Sequence, residues 1–157
     1  MEPKPTLLIA FLSESLRIEG IEREPTEEEI KATHLFCMDG FHMSSGRICQ
    51  LQEIYAPGHP LREKDGMNVR VGGYIAPPGG PDIRPALDKL CKRISRPNGN
   101  PWREHIAFER LHPFMDGNGR TGRTVWAWHM MRNGFNPFEL PFLHRFYYQT
   151  LANDPLR

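Results

Sequence analysis

The chain has 157 residues, 39% of them hydrophobic and 25% charged, which fits one globular domain with a buried core. Its 20 basic and 19 acidic side chains leave a formal net charge of +1, which argues against a nucleic-acid binder with a basic face. No apolar run is long enough to span a bilayer, and we expect no secretory leader at residues 1–4. Cys37, Cys49 and Cys91 are widely spaced, which favours reduced thiols and a cytoplasmic location.

Apolar spacing predicts helices along most of the chain. Leucine, isoleucine and phenylalanine recur at helical spacing from Thr6 to Glu19, and Gly20 can end that first helix. Pro25 and Thr26 followed by three glutamates predict the start of a second helix, because acidic side chains complement the helix dipole. The predicted helices cover residues 6–19, 25–38, 48–55, 81–95, 102–111, 118–132 and 140–151.

The sequence changes character between residues 57 and 81. Pro-Gly, Asp-Gly, Gly-Gly and Pro-Pro steps surround Val69-Arg70-Val71, a pattern typical of a β-hairpin or an extended surface flap. No internal repeat or long linker divides the chain. The sequence therefore predicts an all-α domain, a helical bundle with one β-hairpin flap.

The segment HPFMDGNGRTGR, residues 112–123, predicts a turn between two helices. The first helix should end at His112, because the residue before a proline is pushed out of the α region. We expect Gly117 and Gly119 to adopt positive φ and to let a ligand approach the backbone closely. Free N–H groups at the start of the second helix then form an anion site suited to phosphate.

Four side chains of this segment could bind a polyphosphate, hold a metal ion or accept a proton. Arg120 and Arg123 are three residues apart and project from one helix face, where two guanidinium groups suit a polyphosphate. Asp116 offers a hard oxygen ligand for Mg²⁺, and His112 can accept a proton near neutral pH. A base, a metal ligand, an anion loop and two guanidinium groups within one helix–loop–helix indicate a functional site.

The same segment resembles the Fic signature, H-P-F-x-D/E-G-N-G-R-x-x-R, at every fixed position. The resemblance implies the Fic fold, with the hairpin flap over the active-site loop. It also implies a protein adenylyltransferase that transfers AMP from ATP to a Ser, Thr or Tyr hydroxyl of a target protein (AMPylation). The glycine at position 117 and the arginine at position 123 resemble the pattern of the adenylyl transferases in this family. Doc-like kinases and phosphocholine transferases differ at the corresponding positions.

The resemblance also implies roles for individual residues. His112 would be the general base, Phe114 would anchor the loop in the core, and Asp116 would hold Mg²⁺ against the phosphates of ATP. The remaining positions of the signature would bind phosphate: Gly117, Asn118 and Gly119 as the anion hole, with Arg120 and Arg123 gripping the β- and γ-phosphates.

Two further segments are assigned by the resemblance. Residues 15–20, SLRIEG, resemble the inhibitory motif S/T-x-x-x-E-G/N, so Ser15, Glu19 and Gly20 would form a brake in which Glu19 pairs with Arg123. Residues 1–24 would then be an inhibitory segment and residues 25–157 the Fic core. Flap residues would add an extended segment of the target as a strand, and these are Leu61, Arg62, Met67, Val69 and Val71.

Alternative functions stay open at this point. The chain could transfer another nucleotide-derived phosphoryl group, as other members of the Fic/Doc superfamily do. It could also be a non-catalytic interaction module held shut by Glu19. His105 and His112 lie two turns apart on one helix face, and with Asp116 they could form the zinc site of a hydrolase. The zinc hypothesis leaves the glycine loop and both arginines unexplained.

Overall fold

The computed structural model describes residues 1–40 and 42–139, and within them it contains six α-helices and one two-stranded sheet. The predicted all-α class with a β-hairpin is confirmed, and the helix predicted at residues 140–151 lies outside the described residues. The elements in chain order are α1 (Pro5–Ile18), α2 (Glu27–Met38), α3 (Ser45–Tyr55), β1 (Arg70–Val71), β2 (Tyr74–Ile75), α4 (Ile83–Ile94), α5 (Pro101–Leu111), α6 (Asn118–Arg132) and a 3₁₀ turn (Pro137–Glu139).

The local signals read from the sequence set the helix ends near the predicted residues. Helix α1 is capped at Glu19 and is followed by Gly20 at φ +71°. Thr26 and Glu29 form a capping box at the start of α2: the Thr26 hydroxyl accepts from the Glu29 N–H at 3.1 Å, and the Glu29 carboxylate accepts from the Thr26 N–H at 2.8 Å. Sequence patterns therefore suffice to place these two ends.

Helix α6 is the central helix of the bundle. It packs against α1, α2, α3 and α5, while α4 packs on the outer side of α5. Its residues from Asn118 to His129 are almost all buried, including Ala127 and Trp128 at the middle of the core. Because the start of α6 follows the predicted turn directly, the signature segment is fixed to the most buried element of the domain.

The hairpin is short and is held against the bundle. Arg70 pairs with Ile75 and Val71 with Tyr74 in antiparallel register. The Tyr74 hydroxyl donates a hydrogen bond to the Arg110 carbonyl oxygen at 2.7 Å, which ties the hairpin to α5. The predicted flap is therefore present, and its second strand is bonded to the last turn of the helix that leads into the signature loop.

All three cysteines are unbridged, as the sequence predicts. Burial raises the pKa of the Cys37 thiol to about 12, so this thiol stays protonated and unreactive. Of the helices within residues 1–40 and 42–139, none has the length and apolar character needed to cross a bilayer.

Candidate active site

His112 lies at the C-terminal cap of α5 in the left-handed region, at φ 48° and ψ 60°. A non-glycine residue in this conformation is strained by about 1 kcal/mol or more, and such strain concentrates at functional sites. The His112 Nδ1 lies 3.2 Å from the Glu109 carbonyl oxygen. Because a carbonyl oxygen can only accept, Nδ1 carries the proton in this contact and Nε2 is left as the basic nitrogen.

The surroundings of His112 favour its neutral form. Burial is the largest effect and lowers the pKa of the imidazole, and the nearby Arg62 guanidinium lowers this pKa further. The contact with the Glu109 carbonyl and the carboxylates of Glu19 and Asp116 act in the opposite direction, but the net pKa is lowered. The imidazole can therefore accept a proton at neutral pH.

The loop after His112 is fixed by two buried side chains. Phe114 is inserted in the main hydrophobic core. The Asn118 amide then closes the turn: its Oδ1 accepts from the Phe114 N–H at 2.9 Å and its Nδ2 donates to the Phe114 carbonyl oxygen at 2.8 Å. Since its amide is engaged in this way, Asn118 can contribute to an anion site only through its backbone.

The two glycines of the loop have different structural roles, which corrects the expectation that both adopt positive φ. Gly117 has φ +78° at the N-cap of α6, as predicted. Gly119 lies inside α6 and has no positive φ. Glycine is needed at this position because a Cβ would overlap the carboxylate oxygen Oε1 of Glu19. Gly119 thus permits the close approach of a charged group to the first turn of α6.

A polar cavity of about 470 Å³ opens over the first turn of α6. This volume falls in the range of small-molecule sites. The N-terminal turn of α6 faces it, so its free N–H groups and the positive end of its dipole favour an anion there. The cavity joins the signature loop to α1 and the flap, and its lining includes Glu19, Val69, Val71, His112, Asp116 and Arg120.

Asp116 is an exposed carboxylate at this cavity, and it is held by two hydrogen bonds. Its Oδ1 accepts from the Gly117 N–H at 2.7 Å. Its carbonyl oxygen accepts from the buried Gln52 amide at 3.0 Å, and the same Gln52 nitrogen donates to the His59 carbonyl oxygen at 2.7 Å. Gln52 was not predicted from the sequence, because its acceptors are backbone carbonyls, which leave no mark on residue types.

The two arginines of α6 have separate partners. The Arg120 guanidinium donates to the Tyr55 carbonyl oxygen at 2.5 Å at the edge of the cavity. Arg123 is fully buried and binds α1: its Nε donates to the Ser15 hydroxyl at 2.8 Å and its NH2 to the Ser15 carbonyl oxygen at 2.9 Å. Its NH2 also pairs with the Glu19 carboxylate at 2.8 Å. The predicted contact between Glu19 and Arg123 is therefore present.

The zinc hypothesis is wrong. His105 is buried, and its Nδ1 lies 3.1 Å from the Gly122 carbonyl oxygen. Burial and the nearby Arg123 lower the pKa of His105 to about 3, which describes a neutral core side chain. In the described part of the chain, no three histidine, cysteine, aspartate or glutamate side chains lie close enough together to hold a metal ion.

The predicted docking set on the flap is wrong at Arg62. This side chain is fully buried, its N–H donates to the Pro113 carbonyl oxygen and its own carbonyl oxygen accepts from the Gly80 N–H, so it cannot pair with a partner strand. The side chain of Leu61 is also buried, and this residue forms an isolated antiparallel bridge with Phe114. Met67 and Val69 are half-buried and Val71 is exposed, so these three remain accessible at the surface.

Comparison with known proteins agrees with this geometry. The profile of the Fic/DOC family matches residues 24–130. A relative from Drosophila mojavensis, called protein adenylyltransferase Fic, is 31% identical in an alignment of 96 residues that covers 55% of this chain and 19% of that protein. Its counterpart from Drosophila melanogaster is 30% identical in an alignment of 96 residues, with the same coverage of 55% of this chain and 19% of that protein. The chain thus spans about a fifth of the length of these curated relatives.

Two solved structures share the fold. A Fic family protein from Desulfovibrio desulfuricans G20 has a TM-score of 0.65 and 20% identity, over 93% of this chain and 56% of that chain. A Fic domain containing signaling protein from Bacteroides thetaiotaomicron has a TM-score of 0.61 and 15% identity, over 94% of this chain and 72% of that chain.

Proposed function

We propose that this chain, which belongs to the Fic/DOC family, transfers AMP from ATP to a hydroxyl group of a target protein. One observation carries the proposal: His112 and the N-terminal turn of α6 face the same cavity. A base and an anion site at one cavity are what an attack on a phosphate requires. Curated relatives called protein adenylyltransferase Fic support AMP as the transferred group.

In the proposed reaction, the target hydroxyl gives its proton to the Nε2 of His112 as its oxygen attacks the α-phosphorus of ATP. A bond forms between that oxygen and the α-phosphorus, and the bond to the oxygen bridging the α- and β-phosphorus breaks. Pyrophosphate leaves with the electron pair. The backbone N–H groups of Asn118 and Gly119, together with Arg120 and Arg123, would stabilise the phosphate charge. Gly117, predicted as part of this anion hole, instead donates its N–H to the Asp116 carboxylate.

Asp116 is the residue that would hold Mg²⁺. Magnesium is commonly bound by one or two carboxylates together with substrate phosphates, and an exposed carboxylate oriented by the Gly117 N–H at the cavity edge fits that pattern. When bound, the ion would neutralise part of the phosphate charge. The hydrogen bond from the Gln52 side-chain amide to the Asp116 carbonyl oxygen keeps Asp116 at the cavity edge.

Strand β1 is proposed as the docking edge for the target. Val69, Arg70 and Val71 line the cavity that also contains His112. An extended segment of the target that adds to this edge would bring its hydroxyl toward the imidazole. Met67, Val69 and Val71 are kept for this role, and Leu61 is kept through its backbone alone. Arg62 is not, because its backbone groups are already paired.

Glu19 is proposed as a brake on the reaction. Its carboxylate occupies one donor of Arg123 and lies against Gly119, which is where the terminal phosphate of ATP would otherwise be held. A carboxylate that satisfies a buried guanidinium also denies that group to a ligand. On this basis residues 1–24 form an inhibitory segment on a catalytic core.

The test uses a Glu19→Gly protein incubated with ATP labelled in either the α- or the γ-phosphate, followed by mass spectrometry of labelled proteins. Label from the α-position alone, together with an added AMP mass, is the expected result. Label from the γ-position would instead favour a kinase of the same family. No label from either nucleotide, with ATP binding intact, would favour a non-catalytic interaction module. His112→Ala in the same background should lose the label.

A further inference from the structure

Arg62 is a fully buried arginine whose guanidinium donates to backbone carbonyls. Its Nε donates to the His112 carbonyl oxygen at 2.7 Å and its NH2 to the Leu111 carbonyl oxygen at 2.9 Å. Its backbone N–H donates to the Pro113 carbonyl oxygen at 2.9 Å. One residue therefore engages three consecutive carbonyls at the point where α5 ends and the signature loop begins.

The same guanidinium also holds the base of the flap. Its NH1 donates to the carbonyl oxygens of Met67, at 3.0 Å, and Pro77, at 2.8 Å. These two residues lie before and after the β-hairpin. The guanidinium thus links both sides of the flap to the last turn of α5.

Among the described residues, no carboxylate is hydrogen-bonded to the Arg62 guanidinium. Its positive charge is compensated by carbonyl oxygens. The last carbonyls of a helix lack intrahelical partners and carry the negative end of the helix dipole. Leu111 and His112 supply two of these carbonyls to the guanidinium. A buried cation at this position is therefore stabilised only while the end of α5 keeps its geometry.

The backbone of His112 needs such support. Its left-handed conformation is strained, and strained residues persist only where the surrounding structure over-determines them. Arg62 binds the His112 carbonyl and both neighbouring carbonyls, so it fixes the peptide planes on either side of this residue. The direction of the imidazole follows from those planes.

We propose that Arg62 is a positioning residue for the catalytic base: it fixes the strained backbone of His112 and couples the base of the flap to the signature loop. The inference rests on the proposed function of His112. Arg62 is buried and does not line the phosphate cavity, so it acts on the reaction through the imidazole: it fixes the orientation of the ring, and its charge lowers the pKa of the ring. A loss of Arg62 should therefore slow the chemical step more than it weakens ATP binding.

The experiment places Arg62→Lys and Arg62→Gln in the Glu19→Gly protein and measures self-labelling over a range of ATP concentrations. We expect the maximal rate to fall about 10- to 100-fold, because small misplacements of a reacting group have effects of this size. The half-saturating ATP concentration should change by about 3-fold at most. Arg62→Lys should restore little, because one ammonium cannot replace a planar guanidinium that binds four carbonyl oxygens.

The matched control is Arg47→Gln. The Arg47 guanidinium also donates to three backbone carbonyls, those of Phe36, Asp39 and His42, but it lies away from the cavity. This substitution should lower the melting temperature and leave the maximal rate unchanged well below that temperature. A loss of rate in Arg62 variants that Arg47→Gln does not share separates positioning from general stability.

The titration of the His112 ring, followed by NMR, gives a readout that does not depend on activity. The charged groups that act on this ring are Arg62, which lowers its pKa, and Asp116, which raises it, once Glu19 has been replaced. Arg62→Gln should raise the pKa of His112, and Arg62→Lys should leave it close to the parent value while the rate stays low. That combination would separate the charge of Arg62 from its geometry.

A folded Arg62→Lys or Arg62→Gln protein with the parent maximal rate would overturn the inference. Arg62→Lys keeps the charge and most of the volume of the side chain. If Arg62→Gln does not fold, the maximal rate of Arg62→Lys therefore tests the inference. If His112→Ala itself keeps the label in this background, the proposed function fails. If His112→Ala loses the label while the Arg62 variants keep it, only the role of Arg62 fails.

Discussion

The carboxylate of Glu19 accepts a hydrogen bond from Arg123 at 2.8 Å, although 104 residues separate them in the sequence. The contact joins the end of α1 to the buried centre of α6. The guanidinium is fully buried, whereas the Glu19 side chain is 27% exposed. The pair is therefore buried at the Arg123 end and reaches solvent at the Glu19 end, as the proposed brake requires of a carboxylate that ATP displaces.

Replacement of Glu19 by glycine should raise AMP transfer. Without the carboxylate, the Arg123 donor and the space beside Gly119 become available to the terminal phosphate. We expect stronger self-labelling with labelled ATP and Mg²⁺, and no gain in the double variant Glu19→Gly/His112→Ala. Glu22→Gly, which removes an exposed carboxylate from the loop after α1, is the control and should label as the wild type does. If a folded Glu19→Gly protein is no more active than the wild type at any ATP concentration, α1 packs against the core and does not inhibit transfer.

Ser15 should set how firmly α1 holds this carboxylate in place. Its hydroxyl accepts from the Nε of Arg123 at 2.8 Å in the buried core, and a buried donor left without a partner costs roughly 1–3 kcal/mol. Ser15→Ala should therefore destabilise the docked α1 and raise self-labelling by less than Glu19→Gly does. Limited proteolysis after α1 should become faster in step with the labelling. Higher labelling with unchanged proteolysis would argue against this coupling.

Arg123 should be needed for transfer even after the brake is removed. In the Glu19→Gly background, Arg123→Ala should reduce the rate by about 10²-fold or more, because a positioned group that stabilises transferring phosphate is lost. Arg123→Lys should recover little, since a point charge cannot bind Ser15 and a phosphate with the geometry of a fork. Melting curves must accompany the rates, because Arg123 also anchors α1. Full recovery by lysine would mean that Arg123 acts through net charge alone.

The helices and the loop were predictable from the sequence because their causes are local. Proline at 113, glycine at 117 and the capping box at Thr26 act on neighbouring residues, so their effect can be read from spacing. The pairing of Glu19 with Arg123 was also predicted, but through resemblance to a family motif. The contact is present, and its inhibitory effect stays a prediction.

Features that depend on the tertiary structure were missed or misassigned. Gln52 and Arg62 bind backbone carbonyls far along the chain, and every residue has such a carbonyl, so no residue pattern marks the partner. Arg62 was assigned to target docking as a flap residue through the family resemblance, yet its guanidinium is buried and binds carbonyls on both sides of the hairpin. Gly119 was assigned a positive φ because glycine most often serves turns, whereas here it makes room for Glu19.

Transfer should persist at mildly acidic pH. An unperturbed histidine has a pKa of about 6.5 and would be half protonated there. Burial lowers the pKa of His112, so the neutral base should survive to a lower pH and activity should be lost only below that value. Glu19 raises this pKa, so its removal should move the acid limb lower still. The measurement is the rate of self-labelling by the Glu19→Gly protein from pH 5 to 8, at saturating ATP. An acid limb above about 6.5 would contradict the lowered pKa.

Stability should fall in acid partly because of His105. Its pKa in the folded protein is lowered to about 3, chiefly by burial, while an unfolded histidine has a pKa of about 6.5. Between these values the unfolded chain binds a proton that the folded protein does not, so protonation favours unfolding. The free energy of unfolding should lose up to roughly 1.4 kcal/mol per pH unit from this residue as pH falls below about 6.5.

His105→Asn tests this contribution. Asparagine can place a nitrogen donor toward the Gly122 carbonyl oxygen and does not titrate in this range. Urea unfolding of both proteins from pH 8 to 5 gives the comparison. Above pH 7 the two free energies should run parallel, because histidine is neutral in both states. Below about 6.5 the wild type should lose stability more steeply than His105→Asn, and equal slopes would mean that His105 reaches solvent and titrates in the folded protein.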